Sequence, residues 1–293
     1  MWKKGRNTVD GIIIINKEQN WTSNDVVQKV KRITGEKVGH TGTLDPLATG
    51  VLPLLIGKGT LLSKYLVNHD KTYVAKVKLG VKTDTADLEG EVIQKINVDP
   101  EVFDEIRVKE VLSDFVGKQK QTPPMYSAIK IKGKKLYEYA RSGQKVEVPE
   151  REIEIYEMEL INVLEESSEI EFKVSCSKGT YIRSLCEDIA KRLGTVGTMS
   201  SLNRIKVGDF RIEDAVTIGE VQEIDLNEKM ISIESFFKKK DSIELSSREI
   251  NLFLNGVRIT RNATDGVYRI YSDGHFVGIG VVYGNLLKRD IVC

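Results

Sequence analysis

Residues 39–57 of this 293-residue chain, GHTGTLDPLATGVLPLLIG, hold two side chains that can carry chemistry, His40 and Asp45. Gly39 and Gly42 can turn the backbone through positive φ at little cost, and Pro46 steers Asp45 away from helix. The loop runs directly into an apolar segment, Val51 to Ile56, which reads as a buried strand. Pinned to such a strand, the loop can present one exposed, fixed carboxylate. An Asp before a Pro in a glycine-rich loop is more often a turn former or helix cap. Spacing alone does not identify the chemistry.

Other reactive side chains are scattered. Cys176, Cys186 and Cys293 are widely spaced and odd in number, so they suggest neither a disulfide framework nor a zinc motif. His40, His69 and His275 stand equally far apart, and no metal site is expected. Gly57-Lys58-Gly59-Thr60 resembles a phosphate loop, but that motif needs glycine where Leu52 stands. Net charge is only +1, yet the charges are segregated. Lys118 to Lys145 contains eight basic residues and one acidic, while Glu150 to Glu171 contains nine acidic and one basic. One face could therefore engage phosphate, or two solvated faces could simply differ in sign. Tyr126, Tyr137 and Tyr139 lie among those lysines, a mixture suited to a phosphate backbone with stackable bases.

The elements that must position these groups follow from periodicity. Gly11 to Ile15 reads as a buried strand ending near Lys17. Thr22 or Ser23 can cap a helix with Val26, Val27, Val30 and Ile33 on one face, closed by Gly35. Thr72 to Leu79 alternates as a strand, with Tyr73, Ala75, Val77 and Leu79 on one side. Glu91 to Ile96 is its expected partner, after a turn-rich segment from Asp84 to Gly90. A helix, whole or in two pieces, is expected between about Glu101 and Phe115. Ile153 to Val163 and Ile170 to Cys176 predict an antiparallel pair. Tyr181 and Arg183 open a helix whose apolar positions are Ile182, Leu185, Ile189 and Leu193. After an extended segment from Val196 to Phe210 and a linker at Lys238-Lys239-Lys240, short glycine-bounded strands suggest a small β-rich unit.

With 40% hydrophobic and 30% charged residues the chain has the balance of a folded globular protein, which argues against disorder. It is long enough for one large domain and one small one. No apolar run approaches the length of a membrane span. The four isoleucines after the basic N-terminus are too few for a signal-peptide core, so a cytoplasmic protein is expected.

Several stretches, taken together, resemble the TruB family of tRNA pseudouridine synthases. Asp10-Gly11 with Asn16-Lys17, then Trp21-Thr22-Ser23, resembles its opening motif, and Gly39 to Pro46 its catalytic loop. Lys71-Thr72-Tyr73 resembles the tyrosine strand, and Pro123 to Ala128 with Lys130 an RNA-gripping insertion. Ser177 to Leu185 resembles the arginine motif. These occur in family order from about residue 10 to 210. Two departures stand out: a common Lys-Pro-x-Gly turn reads Lys17-Glu18-Gln19-Asn20, and Leu-Arg-Arg reads Leu202-Asn203-Arg204.

The resemblance implies an α+β pseudouridine-synthase fold: a central mixed, mostly antiparallel sheet flanked by helices. It implies a catalytic domain over 1–237, with the insertion at about 118–148, and a PUA-like RNA-binding domain over 243–293. The implied reaction converts uridine to pseudouridine in tRNA, usually at uridine 55 of the T-arm stem-loop, after the base swings out. It needs no cofactor or metal, no membrane and no obligatory protein partner. It implies Asp45 as the catalytic carboxylate, ionised at neutral pH, with Arg183 as its ion-pair partner. Tyr73 would pack on the uracil and take the C5 proton. Tyr181 and Leu202 would wall the pocket, His40 would contact the RNA or wedge its stack, and Lys17 and Lys130 would be substrate contacts. The competing expectation is a non-catalytic tRNA-binding or tRNA-folding protein in which the loop is structural.

Overall fold

The computed structural model describes residues 9–144, 146–223 and 226–293. Its centre is a nine-stranded mixed sheet. From one edge the order is Gly11–Lys17, Thr49–Ile56, Gly197–Val207, Lys71–Leu79, Glu169–Cys176, Arg151–Leu164 and Gly117–Gln121. Two short strands, Val38–His40 and Phe210–Arg211, pair off this path. Every pairing is antiparallel except that of Gly197–Val207 with Thr49–Ile56, where Asn203 faces Thr49 and Arg204 faces Gly50.

Alternation along Lys71–Leu79 turns Tyr73, Ala75, Val77 and Leu79 into the core, as the sequence predicts. Phe172 and Val174 of the next strand join them, and the helices Ser23–Thr34, Glu105–Ser113 and Ile182–Arg192 cover that face. Thr22 caps the first helix through a capping box with Asp25, and Gly35 closes it in the left-handed conformation at φ +71°. The isoleucine run reads as continuous because its strand is buried on both sides. Ile13 and Ile15 enter the main core, whereas Ile12 and Ile14 enter a second cluster with Val51, Ile233, Ile279 and Ile291. Backbone hydrogen bonds to Ile231 and Val216 occupy the outer edge of this strand, so it offers no template for another chain.

Two expectations are corrected. Val92–Lys95 pairs with Val81–Thr83 in a separate ribbon, not with the strand through Tyr73, whose two sides are already taken. Neither Gly39 nor Gly42 has positive φ; Gly50 does, at +104°. A Cβ on Gly50 would collide with the Arg204 carbonyl and the Asn203 side-chain oxygen, so glycine lets the two strands approach there.

The basic segment contributes the edge strand Gly117–Gln121, a small hairpin (Lys130–Ile131 with Lys134–Lys135) and the helix Leu136–Arg141. Lys132 and Gly133 both have positive φ, at +50° and +82°, as a two-residue hairpin turn of this hand requires. At the other end of the chain, a five-stranded sheet runs from Ser242–Glu244 to Leu286–Val292. Helix Ser247–Leu254 packs on it through Phe253, with Ile270 and Leu287. Ile279 and Ile291 of this sheet reach the cluster beneath Ile12, so it shares core with the large sheet.

Candidate active site

The Asp45 loop is clamped on either side of the carboxylate. Ser23 is buried, and its hydroxyl donates to the Leu44 carbonyl at 3.0 Å while accepting the Leu44 N–H at 2.8 Å. Because Thr22 caps the helix, the Ser23 side chain is left for this work. On the other side, the Pro46 carbonyl accepts from the Asn20 N–H at 2.9 Å and from Lys17 Nζ at 3.2 Å. Lys17 also donates to the carbonyls of Trp21 and Glu18 and is wholly buried. Burial pulls its ammonium pKa down to about 8, with Asp45 the largest opposing influence. Asn20 sits at φ +67°, the left-handed region that asparagine tolerates better than most residues. The turn thus closes through a backbone region that glycine also enters freely.

Across from this loop, Arg183 lies in the first turn of its helix with 6% of its surface exposed. Its Nε stands 3.1 Å from Asp45 Oδ2. A second guanidinium nitrogen donates to the Thr85 carbonyl at 3.1 Å and lies 3.6 Å from Asp87 Oδ2, and the third donates to the Tyr126 carbonyl at 2.8 Å. A cation at a helix N-terminus opposes the helix dipole, and two carboxylates offset that here. The helix start is held in turn by the edge strand. Gln121 exchanges two hydrogen bonds with the Tyr181 backbone, and Ser184 donates to the Thr122 carbonyl.

Asp45 is partly accessible, its side chain 38% exposed beside a 7% exposed Arg183. Burial raises its carboxyl above the ordinary range, Arg183 opposes that rise, and Asp87 adds to it. The carboxylate is therefore held more basic than a free one. Such a group can attack an electrophilic carbon or accept a proton.

Strand register brings further residues together. Tyr73 lies opposite Arg204, and Ala75 opposite Leu202, while Arg204 pairs with Gly50 just after the Asp45 loop. Tyr73 and Leu202 are both 7% exposed, and burial raises the Tyr73 phenol pKa. Arg204 is buried and donates to the Val51 carbonyl at 2.8 Å and the Gly42 carbonyl at 3.0 Å, tying both ends of the loop. His40 ends its short strand half-buried. Its Nδ1 has no hydrogen-bond partner, and burial with the Arg204 charge lowers its pKa. Tyr181 is half-buried at the start of the Arg183 helix, where its backbone is fixed by Gln121. Lys130 stands exposed on the hairpin, with no hydrogen bond or ion pair to the Asp45 cluster among the described residues. No group of three His, Cys, Asp or Glu side chains among those residues could hold a metal ion.

Sequence reasoning missed Ser23, Asp87 and Arg204 as parts of this site. Asp87 fell in a segment read only as turn-rich, and the Thr85 and Tyr126 carbonyls carry no side-chain signal at all. The model for the TruB family pseudouridylate synthase N-terminal domain matches residues 29–182, spanning the Asp45 loop and the tyrosine strand. This chain belongs to the TruB family. A tRNA pseudouridylate synthase B C-terminal domain matches 183–237, beginning at the arginine, and a TruB C-terminal model matches 242–288.

Among TruB relatives, tRNA pseudouridine synthase B of Francisella philomiragia is 44% identical over 94% of this chain and 92% of its own. That of Caldanaerobacter subterraneus is 42% identical over 96% of this chain and 98% of its own. The fold resembles the solved structure of a Cbf5-Nop10-Gar1 complex, with TM-score 0.65 and 24% identity over 93% of this chain and 78% of that one. It also resembles an H/ACA RNP bound to a substrate RNA, with TM-score 0.66 and 22% identity over 96% and 84% of the two chains.

Proposed function

We propose that this chain isomerises uridine to pseudouridine in tRNA, at uridine 55 of the T arm, with Asp45 as the catalytic carboxylate. The observation that carries the reading is the 3.1 Å pairing of Asp45 with a buried arginine, in a chain 42–44% identical to proteins named tRNA pseudouridine synthase B. The reaction breaks the N1–C1′ bond of the nucleoside, turns the uracil and forms a C5–C1′ bond. The proton lost from C5 is balanced by one gained at N1, so no electrons are exchanged with the surroundings.

A partly accessible, arginine-held carboxylate suits the first step, by adding to C1′ or to uracil C6, or by taking the C2′ proton. Arg183 fixes the carboxylate through a charged planar fork that does not lose its proton. Tyr73 faces the base and takes the C5 proton, with Leu202 and Tyr181 as walls of the pocket. His40, with its unpartnered nitrogen, meets the RNA. Lys17, with its ammonium on three carbonyls, supports the loop and does not bind phosphate. The target base must leave its stack, at a cost of a few kcal/mol that contacts to the flanking RNA offset. We assign catalysis to 1–237, with the 118–148 segment and Lys130 gripping RNA, and assign 243–293 to RNA binding.

The test is mass spectrometry of a tRNA transcript after incubation with the purified chain alone. Pseudouridine at one T-arm position is expected. Asp45→Asn should abolish conversion while tRNA still binds. Binding without conversion by the wild-type chain would return it to the class of RNA-binding proteins.

A further inference from the structure

A cleft of about 520 Å³ opens beside the loop site, lined by residues 68–72, Tyr156, Ser175, Lys206, Gly208 and Asp209. Lys71 lies in its wall, Lys206 on the neighbouring strand, and Lys178 reaches Asn68 at 2.5 Å. Among the described residues, none of these three lysines has a carboxylate oxygen within 4.0 Å. Of the two acids in the cleft, Asp209 pairs with Lys239 at 3.3 Å, while Asp70 accepts from the neutral hydroxyl of Tyr156 at 3.1 Å and keeps its charge within the cleft. Lys71 is half-buried, and its resolved hydrogen bond is to the His69 carbonyl, a neutral acceptor. Desolvation and then the Arg204 charge disfavour its ammonium form, while the Asp70 carboxylate opposes them. Three lysines at and beside the cleft stand against Asp70, with Asp209 paired to Lys239, and this excess of positive charge would stabilise an anion.

Lys71 links the cleft to the catalytic loop. Lys71 Cε lies 3.9 Å from the position a Cβ on Gly42 would occupy, three residues before Asp45. Lys71 also shares a strand with Tyr73. We propose that this cleft is a second RNA subsite, which holds a backbone phosphate of the strand leading away from the target nucleotide through Lys71, Lys178 and Lys206. It lies apart from the Lys130 hairpin and would grip the RNA close to the flipped base. The proposal rests on the tRNA reading above.

The test measures binding of a tRNA transcript to the full chain and to Lys178→Gln and Lys206→Gln at about 50 and about 200 mM salt. One phosphate contact releases about 0.7–0.9 counterion, so each variant's loss of affinity should be about threefold larger at the lower salt. Lys178 is exposed, so its replacement leaves the fold intact, and thermal melts check both variants. Unchanged affinity, or a loss equal at both salts, overturns the subsite. Should the wild-type chain bind tRNA yet make no pseudouridine, the function reading fails while the salt comparison still decides the subsite. Should it make pseudouridine while both variants bind as it does, only the subsite falls.

Discussion

Replacing Arg183 by Gln removes the charge that opposes the burial of Asp45 and leaves an amide of similar reach. At the 3.1 Å separation, the attraction is roughly 1 kcal/mol in a water-like dielectric and roughly 5 kcal/mol at an effective dielectric of 20. Asp45 is 38% exposed and Arg183 only 7%, so solvent screening places the value between, at about 2–3 kcal/mol. Losing it raises the Asp45 carboxyl pKa further. Asp87, left buried without its cation, pushes the same way. The active form is the ionised carboxylate, so the acid limb of kcat/KM should move toward higher pH. The deficit of the variant should then shrink as pH rises. The assay is conversion of a T-arm hairpin between about pH 5.5 and 9, with kcat/KM reporting the free enzyme. A deficit equal at every pH would refute the electrostatic role of Arg183, and melting curves would show whether lost bonds to the Thr85 and Tyr126 carbonyls had unfolded the site instead.

Four further outcomes are expected. Lys17→Met strands three carbonyls and should cost about 1–3 kcal/mol at neutral pH, read by denaturant unfolding. The folded pKa of about 8 lies below the ordinary 10.5, so the unfolded chain binds more protons between those values and wild-type stability rises across that window. The variant should lack this rise. Tyr73→Phe should keep tRNA affinity but slow release of hydrogen from C5, measured with C5-tritiated uridine; undiminished release would remove the tyrosine from that step. Replacing Lys130, Lys132 and Lys134 together by Gln should weaken tRNA binding and flatten its salt dependence, and an unchanged slope would clear the hairpin of phosphate contact. Truncation after Lys240 strips Ile279 and Ile291 from beneath Ile12 and Ile14, so the melting temperature should fall along with any loss of RNA affinity. An unchanged melting temperature would show that the shared core contributes little.

The sequence carried the local half of this site well. The Thr22 cap, the Gly35 stop and the alternating burial around Tyr73 all follow from spacing, because each depends on neighbours within a few residues. Pairing Asp45 with Arg183 required likeness to a family, since 138 positions separate them and no periodicity spans that gap. Lys17 shows a different limit. A lysine after a buried strand reads as a solvent-seeking cation, and only the fold reveals the three carbonyls that draw it inward. The strand Val92–Lys95 misled for a related reason: alternation marks a strand but not its neighbour, and Lys71–Leu79 already has one on each side.

The order of synthesis bears on that shared core. Ile12 and Ile14 leave the ribosome well before Ile279 and Ile291, which join them in one cluster with Leu62, Val207, Phe210 and Ile233. At roughly 5–20 residues per second, the first strand waits on the order of 15–55 s for the last members of that cluster. Nascent chains stalled before residue 279 should therefore be cut by protease near Ile12 more readily than chains that carry both Ile279 and Ile291. Until those two isoleucines are made, the outer flank of the first strand depends on its earlier neighbours for cover.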